Sequence, residues 1–104
     1  MNAEPHTELP VIACSLPSGE LPERRERWRR LTERALVRRS ETASGVRLSF
    51  RAEDGVEPEL SELAALEREC CSFAHFEVRA SPEAVVLDIT APAAGVAAVR
   101  EMFA

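Results

Sequence analysis

The chain predicts an α/β domain of the two-layer α+β sandwich kind, with helices packed on a mixed four-stranded sheet. Three observations lead there. Val46-Arg47-Leu48-Ser49-Phe50-Arg51 alternates apolar and polar residues with the two-residue period of a half-buried strand. Leu60, Leu63, Leu66, Cys70 and Phe73 recur at intervals of three and four, the stripe of an amphipathic helix. A length of 104 residues is enough for one two-layer core.

Residues 1–8 are polar, contain Pro5 and read as a flexible arm, which leaves 9–104 as a single domain. Leu9 to Leu16 is a short, largely apolar strand that stops at the turn signal Pro17-Ser18-Gly19. A helix is expected from about Glu20 to Arg39, with Pro22 tolerated in its first turn and Leu21, Trp28, Leu31 and Ala35 along one stripe. The strand Val46–Arg51 follows, and Asp54-Gly55 turns the chain into the second helix. Phe76–Ala80 and Val85–Thr90 alternate on either side of Ser81-Pro82-Glu83, a β-hairpin. Pro92 opens a final helix carrying Val96, Val99, Met102 and Phe103. The order is β-α-β-α-β-β-α, and the first two strands are parallel if they are neighbours, through a right-handed crossover.

No run approaches the roughly 20 apolar residues of a membrane span, so membrane insertion is not expected. Met1-Asn2-Ala3-Glu4-Pro5-His6 has neither the basic nor the apolar region of a signal peptide, and a cytoplasmic location is expected. Three cysteines are an odd number, against a disulfide framework, and a Cys70–Cys71 bridge would strain the peptide between them. All thirteen basic residues are arginine. The net charge of −5 conceals an asymmetry: residues 1–52 hold ten arginines against seven acids, residues 53–104 three against eleven. Such a dipole suits a partner or dimer contact, and a homodimer is expected. The basic cluster is interleaved with glutamate on one helix, so nucleic-acid binding is not. A phosphate loop, a nucleophile elbow and a Ser/His/Asp set are all missing, so no catalytic or cofactor-binding residues are assigned and an enzymatic role is disfavoured. Glu53, Asp54, Glu57, Glu59 and Glu62 lack calcium-loop spacing and read as a solvated helix start. The arginines of the first helix read as its solvated face, and Trp28 as its anchor on the sheet.

Chemistry concentrates in Glu67-Arg68-Glu69-Cys70-Cys71-Ser72-Phe73. Vicinal thiols suit a soft ion such as Hg(II), As(III), Cu(I) or Zn(II). His75 could join Cys70 and Cys71 where the chain curls past the helix end, with Glu67 in reach of the same turn. Adjacent residues of a regular helix point about 100° apart, so both sulfurs share an ion only if the helix unwinds there. Cys14 would complete a three-thiol site, but a parallel first strand pair puts it at the opposite end of the second helix. The competing reading is packing: Cys70 on the apolar stripe, Cys71 at its border and half exposed, Cys14 alternating with Ile12 and Leu16. A helix C-terminus among Glu67, Glu69 and Glu77 disfavours a thiolate nucleophile and favours a bound cation.

The element order resembles the TusA/SirA sulfur-carrier family, whose active cysteine lies where the first strand meets the first helix; Cys14 in Ala13-Cys14-Ser15-Leu16-Pro17 lies close to that place. That family's motif is Cys-Pro-x-Pro, which Cys14-Ser15-Leu16-Pro17 does not match. Cys70-Cys71-Ser72-Phe73, with Trp28-Arg29-Arg30-Leu31 and Gly45-Val46-Arg47-Leu48, also resembles small bacterial proteins with a Cys-Cys-x-Phe segment, some joined to MerR-type metal-responsive regulators. Together these point to a thiol protein that binds a soft metal or metalloid through Cys70 and Cys71, with His75 and Cys14 as further candidate ligands and a metal-responsive regulator as a partner. A sulfur carrier using Cys14, or an interaction or ligand-sensing module with packing cysteines, are the alternatives.

Overall fold

The computed structural model describes residues 21–103, apart from the side chains of Leu21 and Cys70. The elements are α1 (Leu21–Ala35), β1 (Leu36–Thr42), β2 (Gly45–Arg51), α2 (Val56–Cys70), β3 (His75–Ala80), β4 (Ala84–Thr90) and α3 (Ala93–Met102). The strands form one sheet in the order β1-β2-β4-β3, and every neighbouring pair is antiparallel. The α+β class and the four strands are as expected; the composition of the sheet is not. The strand expected at Leu9–Leu16 lies outside the described residues. The helix expected to reach Arg39 stops at Ala35, and residues 36–42 become β1, so two strands separate α1 from α2 and the described sheet is antiparallel instead of mixed.

At the end of the helix the Arg34 carbonyl finds a side-chain partner. The Arg51 guanidinium donates to the Arg34 carbonyl, while Arg34 reaches across to the Asp54 carbonyl at 2.5 Å. The following segment gains more by pairing with β2 through the two-residue connection Ala43-Ser44. A bulge at Val37 breaks its alternation and leaves that residue 63% exposed on the sheet edge. Gly45 is required here: a Cβ would stand 1.8 Å from the Ile89 carbonyl oxygen. Gly55 opens α2 with φ +86°, a left-handed conformation that glycine adopts without penalty.

Register places Val46, Ile89 and Phe76 in one row, Leu48, Leu87 and Val78 in the next. These rows meet Leu31, Ala35, Leu60, Leu63, Ala64 and Val99 of the helices in a continuous core. The opposite face carries Arg47 and Arg79 on either side of Asp88. Burial alone would raise the Asp88 carboxyl, but hydrogen bonds and charge from the two arginines hold it below its ordinary value. Among the described residues no helix is long and apolar enough to cross a membrane.

Candidate functional site

The expected stripe of α2 holds at Leu60 and Leu63 and then shifts toward Glu67. Val56, Leu60, Leu63, Ala64 and Glu67 are its buried positions, followed by the cap residue Cys71, while Leu66 is only half-buried. The stripe slips by one residue because a carboxylate takes a core position. Glu67 is 6% exposed and is held there by α1, where Arg24 and Trp28 stand one helical turn apart. Arg24 Nη1 donates to Glu67 Oε2 at 3.1 Å and Trp28 Nε1 donates to the same oxygen at 2.9 Å. The Cys71 thiol lies 3.6 Å from the other oxygen, Oε1. Arg24 is itself 8% exposed. Isolated, either charge would be costly in the core; paired and hydrogen-bonded, they are tolerated.

Cys71 is fully buried, against the expectation of a half-exposed border residue. Desolvation first, then the charge of Glu67 and its hydrogen bond, push the thiol up to about 12, with Arg24 offsetting them in part. Cys71 is therefore a neutral thiol at pH 7 and no ready nucleophile. The cation beside it comes from α1. Arg68, the near neighbour in sequence, instead donates both Nε and Nη2 to the Phe76 carbonyl, at 3.1 and 2.7 Å, and ties α2 to β3.

Regular helix ends between the two cysteines. Cys70 is the last residue of α2, and Cys71 has φ −120° and ψ 71°. The Cys71 amide donates to the Glu67 carbonyl at 2.7 Å and its carbonyl accepts from the Ala74 amide at 3.2 Å, which folds Ser72-Phe73 into a tight turn. The chain thus leaves regular helix at Cys71. His75 opens β3 as an exposed residue, whereas Cys71 is buried. Among the described residues no three His, Cys, Asp or Glu side chains are grouped to hold a metal ion. The described soft and hard donors that do meet are Cys71 and Glu67. Cys14 lies outside the described residues.

Trp28 anchors α1 through Glu67 and through Phe103, whose ring it meets edge-on at 5.5 Å; Phe103 in turn meets Phe76 at 6.0 Å. Next to this aromatic row lies a cavity of about 440 Å³ whose described lining includes Trp28, Leu36, Leu48, Glu67 and Phe103. Sequence reading placed Glu67 beside the cysteines but missed Arg24 and the burial of the pair. Their signal was two pairs at four-residue spacing, Arg24 with Trp28 and Glu67 with Cys71, which mark facing helix surfaces only once the helices are known to pack. Comparison with known proteins gives no matching family, no matching curated protein and no matching solved structure.

Proposed function

We propose that this chain binds a soft metal or metalloid ion through Cys70 and Cys71, in the cytosol, as a sensing, scavenging or delivery protein. The observation that carries the reading is the end of α2 between the two cysteines, which frees Cys71 from helical geometry. Glu67 supports it: its oxygen already faces the thiol, ready to take the proton that a thiol gives up to a soft ion. A neutral, buried thiol that becomes a thiolate only when a cation arrives is suited to selective binding and protected from oxidation until then. His75 and Cys14 are the further ligands this reading allows, with a second subunit or a metal-responsive regulator as recipient.

The test is native mass spectrometry of the reduced protein with Hg(II), As(III), Zn(II) and Cu(I), beside Cys70→Ser/Cys71→Ser. One ion per chain, or one per dimer, that disappears in the double variant is the expected result. Equal uptake by both proteins would overturn the assignment. The complete burial of Cys71 favours one second reading, an interaction module in which this cysteine is packing; absence of uptake by the wild type would move the assignment there.

A further inference from the structure

The cavity beside the cluster has charges of its own to account for. Its volume and apolar walls are those of a small-ligand site. Arg24, Arg25, Arg29 and Arg39 border it, and among its described lining Glu67 is the one acid. Arg24 is matched by Glu67, and Arg29 lies between Glu26 and Glu33 at 2.5 and 2.7 Å. Arg39 gives its Nε and Nη2 to the carbonyls of Phe103 and Arg100, at 2.7 and 3.0 Å, and its Nη1 lies 3.9 Å from Glu41. Arg25 is exposed at the rim and forms no hydrogen bond or ion pair with another described residue. Of the arginines at this mouth, Arg25 is thus the one with no acid partner among the described residues.

We propose that this cavity binds a small apolar carboxylic acid, its body against Trp28, Leu48 and Phe103 and its carboxylate on the Arg25 guanidinium. A guanidinium fork suits a carboxylate in two parallel hydrogen bonds, and the apolar walls take a short alkyl or aryl body. The pairing at Glu67 turns a neighbouring carboxylate away from the floor, so the acid head is directed to the rim. This site shares Glu67 with the thiol reading but needs neither thiol nor ion.

Trp28 is the sole tryptophan of the chain, so its fluorescence reports the cavity directly. Octanoate titrated into the full chain is expected to change Trp28 emission saturably, and octylammonium at the same concentrations to leave it unchanged. Arg25→Glu, an exposed change that circular dichroism should show to be folded, is expected to weaken octanoate binding by about tenfold. Cys70→Ser/Cys71→Ser should bind octanoate as the wild type does, which separates this proposal from metal uptake. The proposal is overturned if octanoate gives no saturable change, if octylammonium matches it, or if Arg25→Glu leaves its affinity unmoved. Emission that shifts with protein concentration alone would assign the cavity to a second copy of the chain and overturn it too.

Discussion

Glu67 organises more of this protein than its single charge suggests. One carboxylate oxygen receives Arg24 and Trp28, the other faces Cys71, so two helices and the candidate thiol meet on one side chain. Removing the charge while keeping the shape, by Glu67→Gln, leaves Arg24 buried against a neutral amide. A loss of about 3 kcal/mol in urea unfolding is expected, the lower end for a broken buried pair. A loss below about 1 kcal/mol would mean that the pair is screened by water. Cys71 sets the alkaline behaviour. Its folded value is raised, so folded protein keeps the proton where the unfolded chain, near ~8.5, has already released it. Its contribution is fully present below ~8.5 and is lost as pH climbs toward about 12. The chain contains neither lysine nor tyrosine, which leaves that window to the cysteines. Stability measured from pH 8 to 11 should fall steadily in the wild type and more shallowly in Cys71→Ala; equal slopes would place the titration elsewhere.

At the scale of elements, each end is set by what its backbone meets. α1 stops where Arg51 takes its carbonyl, α2 stops between the cysteines, and α3 is held by Arg39 on the carbonyls of Arg100 and Phe103. β2 starts at a glycine because the Ile89 carbonyl leaves no room for more. Gly45→Ala should therefore cost about 3 kcal/mol, since the obstruction is backbone of a central strand. Gly95→Ala, whose new Cβ would meet the Phe73 ring at 3.1 Å, should cost less because a side chain can give way. Thermal unfolding of the two variants checks the order, and a reversed order would show that the β2–β4 pairing yields more readily than the ring. The hairpin β3–β4, α2 and α3 were legible in the alternation and stripes of their residues. β1 was not. Its pattern is broken by the Val37 bulge and its turn, Ala43-Ser44, carries no glycine or asparagine signal.

For the molecule as a whole, the unequal halves of the charge pattern meet one another. The arginines of α1 lie against the acids of α2: Arg27 bonds Glu59 at 2.9 Å and Glu62 at 3.0 Å, and Arg24 bonds Glu67. Part of the asymmetry is thus met inside the fold. Hydrogen bonding to Glu59 raises the Arg27 guanidinium above its ordinary value, so it stays charged at every accessible pH. Arg27→Glu should destabilise by about 1 kcal/mol, more at low salt, and Glu59→Arg in the same chain should restore part of the loss. Denaturant midpoints at two salt concentrations measure this, and independence from salt would show that the helices pair by apolar packing alone. By itself the sequence determined the α+β class, three of the four strands and most of the apolar stripes, because periodicity is local. Only the tertiary structure decided that β1 leaves the helix, that Cys71 is buried in the core, and that Glu67 is buried beside Arg24 and Trp28. A carboxylate enters a core only when distant donors arrive to hold it, and that depends on how helices pack rather than on the spacing within either one.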